Sequence, residues 1–312
     1  MLFKDILADF RKTSFSKRHK GARFERLMKR WLLSDRKYSD NLKNVWLWDE
    51  FPSKTDFGGS DVGIDLVAET NLGDFWAIQC KCYDENARID KPEVDTFLST
   101  SSKYFSHPET GETITFDLRV WISTTTNWTS KAEESLESQT PPVIKIDTFE
   151  LEDSAVEWAS LFDGNVGDKA RENKKEPRSH QVKAIANAYM HYAVEKNERG
   201  KLIMACGTGK TYTSLKMMEK LTGNKGTILF LVPSIALLNQ SLNDWYVDSE
   251  KKLSAICVCS DSQASLKARK DDDAETIVDL ALPASTNIDS VVRQFKSLQE
   301  REGMLVVFST YQ

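Results

Sequence analysis

The sequence predicts an α/β protein made of two successive units, the second of which is built on a parallel sheet. Its 312 residues suffice for two domains of ordinary size. Short apolar runs alternate with amphipathic helical stretches, a pattern typical of parallel sheets covered by helices. Residues 166–177 are charged, lack apolar periodicity and end at Pro177, which predicts a linker between residues 1–165 and residues 178–312.

The composition is that of packed domains without a membrane segment. Apolar residues make up 40% of the chain, and no run of 18 uncharged apolar residues occurs. The first residues lack the apolar stretch of a signal peptide, so a cytoplasmic location is expected. Two Cys-x-Cys pairs, Cys80/Cys82 and Cys257/Cys259, have no accompanying His cluster, which favours core packing over zinc binding.

Charge is distributed unevenly along the chain. The net charge is -5, but residues 1–30 carry ten Lys and Arg against Asp5, Asp9 and Glu25, a local excess of seven positive charges. Two interpretations are open: a solvated helix face, or a basic arm that contacts DNA phosphates and makes binding strongly salt-dependent.

The first half shows mixed helix and strand patterns. Apolar spacing predicts a helix near 20–33, and Asp90, Pro92 and Glu93 mark another helix start. The remaining predicted elements are a strand at 45–48, a hairpin of strands 62–69 and 75–83, a strand at 118–123, a helix at 129–138, a strand at 143–147 and a helix at 154–162.

The second half alternates more regularly. Helices are predicted at 179–195 and 210–221, and strands at 201–205, 227–232, 255–259 and 304–308.

The predicted hairpin carries a group of residues suited to phosphodiester cleavage. That reaction needs a divalent metal held by carboxylates, an activated water and a cation near the phosphate. Asp65 lies on the first strand, and Gln79 and Lys81 share a face of the second strand because strand side chains alternate. An ordinary polar hairpin face is the alternative.

The loop length decides whether Asp65 faces the other two residues. A three-residue loop, Asn71-Leu72-Gly73, pairs Thr70 with Asp74 and therefore Asp65 with Gln79, with Gly73 in the left-handed conformation. An even loop without a bulge would turn Asp65 to the opposite face.

This region resembles the Mrr-type branch of the PD-(D/E)xK nucleases over roughly residues 20–160. The resemblance covers Phe24-Glu25, Asp61-x-Gly-x-Asp65-Leu66 and Gln79-Cys80-Lys81. It implies that Asp65 is the principal ligand of Mg²⁺ or Mn²⁺, that the Cys80 main-chain carbonyl and Glu25 assist, and that Lys81 acts on the water or the phosphate. Gln79 replaces the usual acid, and Asp61 is an alternative carboxylate.

Residues 204–211 carry a nucleotide-binding motif. Glycines let backbone N–H groups surround phosphate oxygens at a helix N-terminus. In the run Gly207-Thr208-Gly209-Lys210-Thr211, Lys210 is expected to reach the β- and γ-phosphates and Thr211 the Mg²⁺ of ATP. Met204 stands where the strict motif has Gly.

Residues 176–312 resemble the first motor lobe of superfamily 2 helicases. By this resemblance Gln181 contacts adenine, while Pro233, Ser234 and Gln240 of one motif and Ser309 and Thr310 of another contact DNA. The acidic motif II that should follow is missing, and Asp271-Asp272-Asp273-Ala274-Glu275 reads as a solvated loop because no apolar strand precedes it. We therefore expect a fragment of a larger enzyme that does not turn over ATP appreciably.

A Mrr-type nuclease followed by such a motor resembles the Type ISP restriction–modification enzymes, which act in phage defence. The resemblance implies a restriction-endonuclease-like domain followed by a RecA-like parallel-sheet domain. It also implies translocation on double-stranded DNA with ATP, a second copy of the enzyme meeting the first on DNA, and S-adenosylmethionine only in a further C-terminal part. The alternatives are a defence or repair nuclease–helicase without a methyltransferase, and a silent nuclease fold that clamps DNA.

Overall fold

The computed structural model describes residues 1–58, 63–84, 87–137, 139–171, 174–223, 225–259 and 282–311. Its contacts divide the chain into two units, with the division near residue 172, and each unit is considered by itself. In these described ranges, no helix combines the length and apolar character needed to cross a bilayer.

A five-stranded mixed sheet organises the N-terminal unit. Its order is β1-β2-β3-β6-β7, with antiparallel pairing among the first three strands and parallel pairing among the last three. The strands are β1 (Leu42–Leu47), β2 (Leu66–Thr70), β3 (Phe75–Lys81), β6 (Leu118–Ser123) and β7 (Val143–Ile146). A separate pair, β4 (Phe105–Ser106) and β5 (Thr113–Ile114), forms a small hairpin.

Helices surround this sheet. They are α1 (Phe3–Thr13), α2 (Lys17–Leu32), α3 (Arg36–Ser39), α4 (Lys91–Thr100), α5 (Ser130–Leu136), α6 (Thr148–Glu152) and α7 (Trp158–Phe162). Helix α7 is shorter than the helix predicted at 154–162. Ser154 does not cap it, and its hydroxyl instead bonds the side chains of Trp31 and Asp35. Helix α2 packs on β1 and β3 through a fully apolar stripe, formed by Phe24, Leu27, Met28, Trp31 and Leu32.

An aromatic core fills the other side of the unit. Phe75 and Ala77 of β3 and Trp121 of β6 belong to one buried cluster with residues of α4 and α5. Since side chains alternate along a strand, Gln79 and Lys81 point to the same side of β3 as Phe75 and Ala77. The polar pair therefore continues a buried apolar row toward the end of the strand.

The segment predicted as a linker is partly structured. Gly167–Ala170 forms a 3₁₀ helix, and Ala170 is fully buried. Arg171 donates from Nε to the Ser34 carbonyl at 2.7 Å and from Nη2 to Ser39 Oγ at 2.9 Å. The first residues of this segment therefore pack on the N-terminal unit.

A three-residue loop joins β2 to β3. Thr70 N donates to the Asp74 carbonyl at 2.8 Å, Glu69 pairs with Phe75, and Leu66 pairs with Ile78. Gly73 has a φ of +86°, as the predicted loop requires. The expected loop length and glycine conformation are confirmed.

A three-stranded parallel sheet organises the C-terminal unit. Its order is β8-β10-β9, from strands β8 (Lys225–Val232), β9 (Leu253–Val258) and β10 (Gly303–Thr310). The helices are α8 (Ser179–Tyr189), which continues as a π-helical turn at Met190–Val194, α9 (Lys210–Thr222), α10 (Ile235–Asp248) and α11 (Ile288–Leu298). The predicted parallel sheet is confirmed for these three strands.

The predicted strand at 201–205 is wrong. Lys201–Ala205 has no strand conformation, and Ile203 is 90% exposed. A strand is stabilised by pairing with a neighbour, and none of β8, β9 and β10 pairs with this segment. Strand β8 is an edge of the described sheet, and it leaves Leu229 and Leu231 more than half exposed.

Replacing Gly73 by Ala tests the hairpin conformation. A left-handed residue with a side chain costs about 1–2 kcal/mol, so Gly73→Ala should lower the free energy of unfolding by about that amount. Gly21→Ala, within α2, is the matched control and should raise stability by up to about 1 kcal/mol. Urea unfolding followed by tryptophan fluorescence measures both. Equal effects of the two changes would contradict the assigned loop.

Candidate active site

Asp65 is held immediately before β2 by bonds to β3 and to Trp48, the residue that follows β1. Its N–H donates to the Ile78 carbonyl at 2.9 Å, and its carbonyl accepts from Trp48 N at 2.8 Å. Its carboxylate oxygen Oδ2 accepts from Gln79 Nε2 and from Cys80 N, the latter at 2.7 Å. The hairpin register thus brings Asp65 and Gln79 together, as the loop length predicted.

Gln79 is buried, with 3% of its surface exposed. A side chain at Gly63 would come within 3.3 Å of Thr96 Cγ2 and 3.6 Å of Gln79 Oε1, and Gly63 has a φ of +71°. The glycine therefore keeps space open beside the amide. Because Gln79 is neutral, it can donate to Asp65, which an ionised acid at the same position could not do.

Glu25 on α2 shares the electrostatic environment of this site. Partial burial, followed by the nearby charge of Asp65, raises the pKa of Glu25 to about 7, while Arg26 and Lys81 act in the opposite direction. Two neighbouring carboxylates repel each other when both are ionised, and a cation bound between them would offset that repulsion. The structure therefore brings Glu25, Asp65 and Lys81 into one neighbourhood.

Asp49 is a further acidic residue that sequence reasoning missed. Its charge also raises the pKa of Glu25, so it lies near the same neighbourhood. Asp49 directly follows Trp48, whose N–H donates to the Asp65 carbonyl. The signal in the sequence was the Asp49-Glu50 pair at the end of the predicted strand at 45–48.

The donors available for a metal are mainly oxygen atoms. Across the described part of the chain, no three His, Cys, Asp or Glu side chains gather as a metal cluster. Burial, with the charges of Asp65 and Glu25, raises the pKa of the Cys80 thiol well above its usual range, which disfavours a thiolate ligand. Carboxylates and main-chain carbonyls are the ligands Mg²⁺ prefers. Asp61 lies outside the described residues.

The predicted nucleotide-binding loop precedes α9. Gly207 and Gly209 have φ values of +74° and +80°, and α9 begins at Lys210. Thr208 Oγ1 donates to the Ala205 carbonyl at 2.7 Å, which closes the loop on itself. The backbone N–H groups of the first helical turn are therefore available for an anion at this position.

Gln181 of α8 contacts this loop directly. Its Nε2 donates to the Thr208 carbonyl at 3.1 Å, and its Oε1 accepts from Arg178 N at 2.7 Å. A side chain at position 209 would lie 2.5 Å from Gln181 Nε2, so this approach requires Gly209. Gln181, which is predicted to contact adenine, therefore lies beside the loop that is predicted to bind the phosphates.

Four of the five residues predicted to contact DNA lie at or just beyond the carboxyl ends of β8 and β10. Val232, which precedes Pro233 and Ser234, pairs with Thr310 at the ends of β8 and β10. Ser234 caps α10 by accepting from Leu237 N at 3.3 Å, and Gln240 is exposed on that helix. Ser309 Oγ instead donates to the Val258 carbonyl at 2.9 Å. The acidic run 271–275 and Gln312 lie outside the described residues.

Family models match the two units separately. A restriction endonuclease family model, Mrr_cat_2, matches residues 33–167, and a model for the res subunit of Type III restriction enzymes, ResIII, matches residues 174–312. The chain therefore contains a restriction endonuclease domain followed by a helicase-type domain of these families.

The chain is also similar to a solved Type ISP enzyme. The chain aligns over 99% of its length, at 31% identity and a TM-score of 0.78, with "ATP-dependent Type ISP restriction-modification enzyme LlaBIII bound to DNA". A nuclease-deletion mutant of the Type ISP enzyme LlaGI aligns with 44% of this chain at 41% identity and a TM-score of 0.36. The alignment covers 13% of the LlaGI chain. The chain spans 18% of LlaBIII. A comparison with curated proteins gives no match.

Gln79→Glu tests the role of the neutral amide. A carboxylate at this buried position would face Asp65 Oδ2 and leave a donor missing, at a cost of about 1–3 kcal/mol. We expect a lower melting temperature in EDTA and a smaller deficit in Mn²⁺, which would bridge the two acids. Gln79→Ala is the control, because it loses the same hydrogen bond without adding charge. A deficit of Gln79→Glu that Mn²⁺ leaves unchanged would contradict this account.

Proposed function

We propose that the N-terminal unit cleaves DNA phosphodiester bonds with Mg²⁺ or Mn²⁺ at the site of Asp65, Gln79, Lys81 and Glu25. The observation that carries the proposal is the hydrogen bond between the side chains of Asp65 and Gln79 across the hairpin. Lys81 follows Gln79 by two residues on the same strand. The similarity to a Type ISP enzyme solved with DNA supports DNA as the substrate.

Each residue has a part that follows from its position. Asp65 and Glu25, with the main-chain carbonyl of Cys80, would hold the metal, which when bound supplies an activated water and charge stabilisation. Gln79 orients the Asp65 carboxylate by donating to Oδ2. Lys81 lies on the same face of β3 as Gln79 and lowers the pKa of Glu25, so it supplies the positive charge that a phosphate needs.

We further propose that the C-terminal unit is the first lobe of an ATP-driven motor. Lys210 and Thr211 at the start of α9 would bind the phosphates and the Mg²⁺ of ATP, and Gln181 would contact the adenine. The DNA would be contacted by the residues predicted for this role, which are Pro233, Ser234, Gln240, Ser309 and Thr310. In this proposal the full enzyme translocates on double-stranded DNA as a Type ISP enzyme, and a second copy meeting the first licenses cleavage.

A silent DNA clamp is the second candidate for the N-terminal unit. The observation favouring it is that Gln79 replaces an acid, so that Asp65 and Glu25 are the two carboxylates of the predicted site within the described residues. Cleavage by the parent chain separates the two candidates.

Nicking of supercoiled plasmid by this chain, with Mn²⁺ and without ATP, is the decisive experiment. We expect Asp65→Ala and Lys81→Ala to lower the nicking rate by at least about 100-fold, as removal of a charge-stabilising group does. Exposed residues of the same types supply the controls, Asp163→Ala and Lys296→Ala, which should nick at the parent's rate. A parent preparation that nicks no faster than Asp65→Ala would favour the clamp.

ATP binding is tested separately, with a fluorescent ATP analogue titrated into the chain. Lys210→Ala should weaken binding by about tenfold or more, because charge-assisted hydrogen bonds are worth about 1.5–3 kcal/mol each. Lys220→Ala, at the other end of α9, is the matched control. Equal affinity of the two variants would show that the loop before α9 does not bind the phosphates.

A further inference from the structure

An aromatic pair is displayed at the junction of α1 and α2. The rings of Phe15 and His19 lie 4.0 Å apart between centroids, at an interplanar angle of 15°, so they are stacked. Phe15 is 85% exposed, which leaves its outer face open to solvent. A single exposed apolar side chain is ordinary, but a stacked pair with one free face is a surface for another flat ring.

The start of α2 fixes the inner ring of this pair. Ser16 caps the helix, with its Oγ accepting from His19 N at 3.1 Å. The ring atom Nδ1 of His19 is buried and has no hydrogen-bond partner among the described residues. The ring is therefore positioned by the helix and by stacking on Phe15. A buried nitrogen without a hydrogen-bond partner lowers the stability of the fold, so the placement of the His19 ring needs an explanation.

Positive charge surrounds the pair. Residues 10–24 contain six Lys and Arg and no Asp or Glu. Two of them are held by acids from elsewhere in the unit: Lys20 by Asp84 at 2.8 Å, and Arg23 by Asp9 at 2.8 Å. Lys12, Lys17 and Arg18 are exposed beside Phe15. The surface thus combines an open aromatic face with cations that point to solvent.

The helix that carries His19 also contacts the segment that follows β3, through Lys20. Asp84, which holds Lys20, follows Lys81 by three residues along the chain. The hydrogen bond from Lys20, together with the charges of Lys20, Arg11 and Lys17, lowers the pKa of Asp84, so this part of α1 and α2 lies close to the segment that follows β3. Glu25 follows on the same helix, fewer than two turns beyond His19.

We propose that Phe15 and His19 form a stacking platform for an unpaired base of DNA, while Lys17 and Arg18 bind the phosphates beside that base. In an intact duplex both faces of each base are covered, so the open face of Phe15 fits a base at a gap, bulge or fork. Aromatic platforms flanked by cations bind single strands with little sequence preference. The platform would hold a locally unpaired strand near Asp65 and Lys81. The inference rests on the proposed action of the unit on DNA.

Fluorescence anisotropy in EDTA tests the platform without cleavage. The probes are a labelled 30-base-pair duplex and the same duplex with a two-nucleotide bulge. We expect the chain to prefer the bulged DNA by about five- to tenfold. Phe15→Ala should abolish this preference, and Phe15→Trp should retain it. Phe149→Ala is the matched control, since Phe149 is also a largely exposed phenylalanine of the same unit.

The cations are tested by salt titration of the same binding. Lys17→Ala combined with Arg18→Ala should weaken binding to both DNAs and reduce the slope of log Kd against log salt by about two. As a second readout, 2-aminopurine placed in the bulge should change its fluorescence on binding to the parent and not to Phe15→Ala.

The outcomes separate the platform from the proposed nuclease. If the parent binds both DNAs equally, binds neither, or keeps its preference in Phe15→Ala, the platform is refuted, whatever the nicking experiment shows. If the platform behaves as expected while no nicking occurs, the unit binds unpaired DNA without cleaving it. If the preference depends on Phe15 and the nicking on Asp65, both proposals stand.

Discussion

The antiparallel pairing of β2 with β3 is the constraint on which the candidate active site depends. Because the loop has three residues, Asp65 lies opposite Gln79, and its carboxylate reaches both the Gln79 amide and the Cys80 N–H. The Asp65 main chain is fixed in turn by Ile78 and Trp48. The acid is thus held at the start of β2 by bonds to β3 and to Trp48, which follows β1, and this leaves little freedom for the carboxylate to turn away.

The surroundings of this pair fix its position. The side of β3 that carries Gln79 and Lys81 continues from the buried Phe75 and Ala77, so the polar groups are fixed at the end of a packed row. Partial burial strengthens the mutual repulsion of Glu25 and Asp65 and the opposing influence of Lys81. Core packing thus brings two acids and a lysine together before any substrate binds.

Local sequence rules predicted much of this arrangement, and long-range contacts account for the rest. The strand at 118–123 and the three-residue loop follow from alternation and from Gly73, which are local properties. The burial of Glu25 and the position of Asp49 depend on how α2 and β1 meet the sheet, which no local pattern encodes. The segment 201–205 has the composition of a strand, but a strand also needs a neighbour, and sequence alone does not supply that information.

The open edge of the C-terminal sheet has a consequence for handling the protein. Strand β8 presents unpaired backbone groups along one side of the described sheet and exposes Leu229 and Leu231. An apolar edge of this kind is a template for strand addition by any available chain. We therefore expect self-association to increase with protein concentration, so that dilute samples suit measurements on this lobe. Charged substitutions at these two leucines would improve its colloidal stability without touching the nucleotide-binding loop.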